Sequence, residues 1–281
     1  MEPRSETTGF EARPGLRRRR RRRERRGRPR GLYLLPHLVT TAGLFFGFTA
    51  ILQAFAGAYD RAALFILLAA ICDALDGRLA RLARSASRFG LEYDSIADIV
   101  SFGVAPAALA YSAGGLDELG RKGLVLTFLY TVGAALRLAR FNVAPSRFPG
   151  RFEGMPSPAA AGIVAATQWF VSFLAENDLG VHASPWVVAP GVALLGLLMV
   201  SRVPYRSFKE IDLRHSYGTL VVVVFALLLL IQEPSVTLFA IGIGYGLSGP
   251  IEWLWRRAAR RPLPEAAAAP VPSEAPPRIN A

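Results

Sequence analysis

Four aspartates lie close together in the sequence, directly after an apolar stretch long enough to cross a lipid bilayer. Asp73 and Asp76 are three residues apart, and Asp94 and Asp98 are four residues apart. Residues with these spacings lie on one face of an α-helix, so each pair would present its carboxylates in one direction. On two consecutive antiparallel helices the pairs can face each other. The pattern predicts a cluster of four carboxylates near the edge of a membrane.

The residue types of this cluster indicate a metal site. Four neighbouring carboxylates repel one another unless a cation lies between them. Hard divalent ions such as Mg²⁺ or Mn²⁺ prefer oxygen ligands, and none of the three histidines lies near this stretch. The simpler alternative is that the aspartates pair with nearby arginines and cap helix ends. Capping of helix ends does not require two pairs of aspartates that each lie on one helix face. Acids inside a membrane also usually mark functional sites.

The residues between the two pairs extend the prediction from a metal site to a diphosphate site. Gly77 and Ala80 are small, which leaves space for a ligand beside the helix. Arg81 carries a planar guanidinium that can hold a phosphate, and Ser87 lies in the connection between the two helices. Metal ions bridging phosphate oxygens would stabilise charge on the transferred and the leaving groups.

The elements that position these residues are predicted to be membrane-spanning helices. The chain has 281 residues, 52% of them hydrophobic, and its mean hydropathy is +0.31. A bilayer core of about 30 Å requires roughly 17–25 apolar residues in a helix, which satisfies its own backbone groups. Eight such stretches occur, at about 34–57, 61–82, 95–113, 122–139, 158–176, 184–201, 217–232 and 235–255. The predicted fold class is an all-α polytopic membrane protein.

The N-terminal segment is strongly basic. Residues 1–31 contain thirteen arginines and four glutamates, so +9 of the formal net charge of +12 lies there. Such a run can bind nucleic acid. Beside a first span, we instead expect it to bind anionic lipid at the cytoplasmic surface, where each basic residue contributes about 1 kcal/mol. No nucleic-acid partner is expected.

The distribution of basic residues predicts the topology. With a cytoplasmic N-terminal tail, the connections at 83–94, 140–157 and 202–216 and the C-terminal "RRAARR" lie inside. The opposite connections contain only Arg61, Arg121 and Lys122 as cations. Both termini and the aspartates are therefore expected on the cytoplasmic side of a bacterial inner (cell) membrane. We expect a disordered tail at 1–31, a transmembrane catalytic domain at 32–257 and a disordered tail at 258–281.

The aspartate motif resembles the signature of a known enzyme family. Its spacing is Asp73-x2-Asp76-Gly77-x2-Ala80-Arg81-x8-Gly90-x3-Asp94-x3-Asp98, which resembles that of the CDP-alcohol phosphotransferases. The resemblance implies a six-helix catalytic core, here with two additional transmembrane helices, in a homodimer. It also implies two divalent cations, Mg²⁺ or Mn²⁺, in a site open to the cytoplasm.

The same resemblance implies roles for individual residues. The four aspartates would be metal ligands, and Asp98 would also be the general base that deprotonates the acceptor hydroxyl. The positions that would bind the CDP-diacylglycerol donor are Gly77, Arg81 and Ser87. The stretch "PHLVTT" resembles the family's Pro-Asn-x2-Thr pattern, with His37 in the place of asparagine. His37 and Thr40 would then contact the nucleotide.

Two later stretches indicate the acceptor alcohol. "RLARFN" (137–142) and "FEGMPSPAAA" (152–161) resemble patterns of the membrane-embedded phosphatidylserine synthases, which also tend to have two helices beyond the core. This implies transfer of a phosphatidyl group from CDP-diacylglycerol to L-serine, with release of CMP. The candidates for binding the serine carboxylate or the donor phosphate are Arg137, Arg140 and Arg147.

Three other functions stay open from the sequence. Family members that use different acceptor alcohols share the aspartate motif. The product could therefore instead be phosphatidylglycerophosphate, phosphatidylinositol phosphate or phosphatidylcholine. Aromatic prenyltransferases also bind diphosphates through intramembrane aspartates, but their two acidic motifs are far apart in sequence. A divalent-cation transporter would place such aspartates nearer the middle of the membrane, with less need for Gly77, Ala80 and Arg81.

Overall fold

The computed structural model describes residues 34–83, 88–143, 150–179, 184–206 and 217–259. Eight long helices and a short 3₁₀ helix (Leu116–Leu119) occupy these ranges. The long helices are α1 (Leu34–Phe55), α2 (Tyr59–Ala83), α3 (Arg88–Ala113), α4 (Arg121–Val143), α5 (Ser157–Glu176), α6 (Pro185–Val200), α7 (Tyr217–Gln232) and α8 (Pro234–Ala258). Each predicted span coincides with one helix. By length and composition α1, α3, α4 and α5 are apolar enough to cross a membrane, and α6 is apolar but shorter. The predicted all-α polytopic membrane fold is confirmed.

Some predicted features lie outside the described residues. These are the basic tail at 1–31, Ser87, Arg147 and the C-terminal tail from residue 260 onward. Helix α2 continues through Ala80 and Arg81, but their side chains are also outside the described part of the protein.

Helix α3 is longer than the predicted span and changes its winding in the middle. It is α-helical over Arg88–Asp98, π-helical over Ile99–Val104 and α-helical again over Ala105–Ala113. Pro106 has no N–H group to donate to the preceding turn, which favours a local change in hydrogen bonding. The carbonyl of Phe102 instead accepts a hydrogen bond from the Tyr130 hydroxyl of α4, at 3.1 Å.

Small residues allow the helices around the aspartates to pack closely. A Cβ atom on Gly47 of α1 would lie 2.7 Å from the Ser101 Cα of α3, and Ser101 Oγ donates to the Gly43 carbonyl at 3.2 Å. Farther along the chain, a Cβ on Gly196 of α6 would lie 2.8 Å from the Tyr130 Cα of α4. Such close approach is typical of helix contacts within membranes. Close packing at small residues brings α1, α2 and α3 together at the aspartates.

A short β-ribbon, which the sequence analysis did not predict, joins two of the connections. Strands β1 (Arg151–Glu153) and β2 (Pro204–Arg206) are antiparallel, with Phe152 opposite Tyr205. Gly154, which follows β1, has a φ of +79° that favours glycine. The ribbon lies at the ends of α4, α5 and α6, because Arg140 near the end of α4 contacts both the Val200 carbonyl and the Glu153 carbonyl.

Candidate active site

Three of the motif aspartates form a compact cluster between α2 and α3. One carboxylate oxygen from each of Asp73, Asp76 and Asp94 lies within 4.8 Å of the others. Asp76 is buried, with 6% of its surface exposed, and the other two are half-buried. The helix spacings predicted from the sequence therefore bring carboxylates from both pairs to one point.

Asp98 lies beside this cluster. It lines the same small cavity as the three other aspartates, together with Thr40, Gly43 and Ser101. Its carboxylate is not among the three oxygens that lie within 4.8 Å of one another. The π-helical turn begins immediately after Asp98, so α3 changes its winding at the edge of the site.

Helix α1 supplies a hydrogen-bond donor to the cluster. The buried Thr40 hydroxyl donates to Asp76 Oδ2 at 3.0 Å. This hydrogen bond orients one carboxylate, and Gly77 follows it on α2. Thr40 thus contacts a potential metal ligand, and the predicted contacts of Thr40 and Gly77 with the donor stay predictions.

An aromatic group adjoins the aspartates and was missed by the sequence analysis. The ring of His37 meets Phe89 edge-on, with centroids 6.1 Å apart, and Phe89 stacks on Tyr93 at 6.0 Å. Tyr93 also shares a hydrogen bond of 2.9 Å with Thr41. The ring of Phe89 is exposed. His37 therefore lies beside an accessible aromatic surface at the start of α1 and α3.

Arg137 of α4 is a predicted cation that lies close to the carboxylates. It is buried, with 9% of its surface exposed, and interacts electrostatically with Asp98 and Asp73. Its Nη1 donates to Ser157 Oγ at 3.2 Å. Its Nε is buried and has no hydrogen-bond partner within the described part of the protein. Arg137 thus retains a donor for a ligand.

Arg140 has a different environment from Arg137. Its Nη2 donates to the carbonyls of Glu153 at 2.8 Å and Ser201 at 3.3 Å, and its Nη1 donates to the carbonyl of Val200 at 3.0 Å. The last carbonyls of α6 otherwise lack intrahelical partners. Arg140 therefore joins the end of α4 to the end of α6 and to β1.

The site fits a hard divalent cation. Its donor set consists of carboxylate oxygens, which Mg²⁺ and Mn²⁺ prefer, and at least three of them can reach one point. Thr40 holds one ligand in place, as supporting groups commonly do in metal sites. The nearby Arg137 adds positive charge for an anionic substrate.

The part of the chain that matches a known protein family contains the helices that form this site. The profile of the CDP-alcohol phosphatidyltransferase family matches residues 33–198, which cover α1 to α5 and nearly all of α6. The CDP-diacylglycerol–serine O-phosphatidyltransferase of Helicobacter pylori is 35% identical over 228 residues, covering 80% of this chain and 92% of that protein. The protein of the same name from Mycobacterium leprae is 31% identical over 268 residues, covering 85% and 88%. That from Bacillus subtilis is 34% identical over 176 residues, covering 63% and 92%.

Proposed function

The chain belongs to the CDP-alcohol phosphatidyltransferase family, and on this premise we propose that it makes phosphatidylserine. The reaction transfers the phosphatidyl group of CDP-diacylglycerol to the hydroxyl of L-serine and releases CMP. Relatives named CDP-diacylglycerol–serine O-phosphatidyltransferase align over most of the chain, which supports serine as the acceptor. The observation that carries the proposal is the cluster of aspartates facing the buried Arg137.

The metal site consists of the four motif aspartates, which would hold two divalent cations, Mg²⁺ or Mn²⁺. Bound ions would neutralise the diphosphate of the donor and stabilise charge on the leaving CMP. Among these ligands, Asp76 is oriented by the hydrogen bond from Thr40. His37, Thr40, Gly77, Arg81 and Ser87 are proposed to contact the donor.

Asp98 is the proposed general base. It takes the proton from the serine hydroxyl, and the resulting oxygen nucleophile forms a bond to the β-phosphorus of CDP-diacylglycerol. The bond from this phosphorus to the bridging oxygen breaks, and CMP leaves. Asp98 lines the aspartate cavity and interacts electrostatically with Arg137, so it lies between the proposed metal site and Arg137.

Arg137 is the proposed ligand of the serine carboxylate. A guanidinium with an unused, buried N–H suits a carboxylate, which accepts hydrogen bonds in a planar geometry. Arg140 is less suited to this role, because its N–H groups already bind backbone carbonyls. Arg147, whose surroundings are not described, stays a candidate for the donor phosphate.

The cellular setting follows from topology and charge. We propose that the protein lies in a bacterial inner membrane with both termini and the active site cytoplasmic. There the basic tail would contact anionic lipids. An amphiphilic donor and a water-soluble acceptor meet at such an interface. A homodimer is the proposed assembly.

An acceptor panel tests the function. Purified protein would receive CDP-diacylglycerol and Mn²⁺ or Mg²⁺ with serine, inositol 1-phosphate, glycerol 3-phosphate or choline, and CMP release would be measured. We expect serine to give the fastest release and a chelator to abolish it. Serine-independent release, or a clear preference for another alcohol, would contradict the assignment of serine as acceptor.

A further inference from the structure

The position of the Arg137 guanidinium depends on a segment that precedes α5. Ser157, the first residue of α5, is fully buried, and its Oγ accepts the hydrogen bond from Arg137 Nη1 at 3.2 Å. A shift of the backbone at Ser157 would therefore shift the guanidinium. The segment in question is residues 151–157, from β1 to the start of α5.

Main-chain hydrogen bonds attach this segment to the region around β2. The N–H of Gly154 donates to the carbonyl of Val203 at 2.9 Å, and the N–H of Met155 donates to the carbonyl of Leu198 at 3.0 Å. The segment thus moves together with β2 and with the end of α6.

Helix α8 holds both strands of the ribbon through one carboxylate. Glu252 Oε1 accepts a hydrogen bond from Arg151 of β1 at 2.8 Å, and its Oε2 pairs with Arg206 of β2 at 3.4 Å. Arg256, one turn later on α8, also donates to Glu252, at 2.9 Å. Glu252 and Arg151 are both mostly buried, so their pair is less weakened by solvent than a surface pair, whereas Arg206 is largely exposed.

A tight contact between α8 and Tyr205 fixes the distance of the helix from β2. Tyr205 is fully buried, and its hydroxyl donates to the carbonyl of Gly246 at 3.0 Å. A Cβ atom on Gly249 would lie 2.6 Å from the Tyr205 Cζ atom, closer than real Cβ contacts. Only glycine permits this approach without a shift of the ring or the helix.

A second tyrosine of α8 contacts β2. The ring of Tyr245 on α8 lies 5.5 Å from that of Tyr205, and its hydroxyl donates to the carbonyl of Arg206 at 3.3 Å. Helix α8 therefore contacts β2 through Tyr245 as well as through Glu252.

We propose that α8, which lies beyond the part of the chain matched by the family profile, positions Arg137 for the acceptor. Gly249 and Glu252 are positioning residues in this arrangement: they hold β1, β2 and Ser157, and through Ser157 the guanidinium. The proposal rests on the proposed function, since it assigns α8 to the acceptor half of that reaction. We expect the donor half of the site, formed by α1, α2 and α3, not to depend on the contact between α8 and the β-ribbon.

A matched pair of glycine substitutions tests the proposal. Gly249→Ala inserts a methyl group against Tyr205, whereas a Cβ on Gly244 of the same helix meets no atom within 4 Å. Both substitutions raise helix propensity by the same amount, so Gly244→Ala controls for that effect. The full chain would be assayed in mixed micelles by CMP release, varying serine and CDP-diacylglycerol in turn.

The expected result is a change confined to the acceptor. For Gly249→Ala, KM for serine rises about tenfold or more while KM for CDP-diacylglycerol changes less than about twofold, since a misplacement of about 1 Å can cost up to about 10²-fold. Gly244→Ala matches the wild type. If both KM values of Gly249→Ala are unchanged, or both rise equally, α8 has no specific role in the acceptor site.

A second variant covers the case in which Gly249→Ala does not fold. Glu252→Gln keeps the side-chain shape and removes the charge that joins Arg151 and Arg206, and we expect the same split at about threefold. The exposed Glu118→Gln serves as its control. A wild-type KM for serine in Glu252→Gln overturns the proposal. A wild type without serine-dependent CMP release overturns the proposed function, and this inference with it.

Discussion

At the scale of single residues, Asp76 and Asp98 share a cavity but differ in surroundings. Asp76 is buried and accepts a hydrogen bond from Thr40, which fixes its orientation. Asp98 interacts electrostatically with Arg137 of α4. A preoriented carboxylate suits a metal ligand, whereas a carboxylate facing the acceptor site suits a base.

The role of Asp98 can be separated from metal binding by Asp98→Asn. Since general-base catalysis contributes about 10²–10⁴-fold, we expect kcat to fall by that order and KM for CDP-diacylglycerol to stay near the wild-type value. The assay is CMP release over a range of Mn²⁺ concentrations. Recovery of kcat at high Mn²⁺ would show that the variant fails because metal binding is weakened and not because the base is lost. Asp117→Asn, an exposed change between α3 and α4, is the control.

Arg137 and Arg140 are one helical turn apart, yet we expect their substitutions to affect different properties. Arg137→Lys removes the buried Nε donor, so KM for serine should rise by about 10–100-fold, the cost of a lost charged hydrogen bond of about 1.5–3 kcal/mol. Arg140→Lys loses hydrogen bonds to backbone carbonyls, so it should lower the thermal unfolding midpoint and leave KM for serine nearly unchanged. Kinetics and thermal unfolding of both variants check this. The opposite assignment of effects would contradict the interpretation of the two arginines.

The sequence identified the acidic residues of the site better than its polar partners. Helix periodicity alone places Asp73 and Asp76 on one face, so their convergence with Asp94 could be predicted. The hydrogen bond between Arg137 and Ser157 could not be predicted, because it joins two helices whose relative rotation is set by packing. The stretch "FEGMPSPAAA" contains Ser157, but nothing in its sequence predicts the contact with Arg137.

At the scale of elements, the π-helical turn of α3 connects the site to α4. Tyr130 is fully buried, and its hydroxyl satisfies the Phe102 carbonyl within that turn. Thr131 donates to the neighbouring Gly103 carbonyl at 3.1 Å. Inside a bilayer, an unsatisfied carbonyl is costly, so these donors stabilise the unusual winding. The turn in turn sets the position of Asp98.

Tyr130→Phe should therefore destabilise the protein without removing any group from the active site. It leaves the buried Phe102 carbonyl without its side-chain donor, which should cost about 1–3 kcal/mol of unfolding free energy. Unfolding by denaturant in detergent micelles would measure this loss. Tyr111→Phe, at a half-buried tyrosine of the same helix bundle, is the matched control. Equal stability of the two variants would show that the hydroxyl does not support the turn.

Helix positions could be predicted from the sequence, but departures from regular helix could not. The long apolar runs predicted the positions of all eight long helices, because the thickness of the bilayer sets the length of a spanning helix. The predicted third span began at residue 95, whereas α3 begins at Arg88, since its first turns are polar. The β-ribbon was missed because three-residue strands about fifty residues apart in sequence carry no periodic signal.

At the scale of the whole molecule, contacts sort the helix ends into two groups. Arg140, Glu153 and Val200 bring together the end of α4, β1 and the end of α6. At the other end of the bundle, Asp60 at the start of α2 accepts a hydrogen bond from Ser172 near the end of α5, at 2.7 Å. The ends of α2, α4, α5 and α6 thus fit helices that alternate in direction, as the predicted distribution of basic residues requires.

Labelling of introduced cysteines tests the orientation of this alternating bundle. Because Cys72 is the only cysteine, a Cys72→Ala background carries no thiol. In that background, Glu118→Cys should react with a membrane-impermeant thiol reagent added to intact cells, since the connection between α3 and α4 is predicted to be outside. Arg202→Cys and Arg257→Cys should react only after the membrane is permeabilised, because β2 and the end of α8 lie with the proposed active site. All three side chains are exposed, so access to the reagent depends on the side of the membrane. Labelling of Arg202→Cys in intact cells would place the aspartates on the outer face, away from the cytoplasmic serine that the proposed reaction requires.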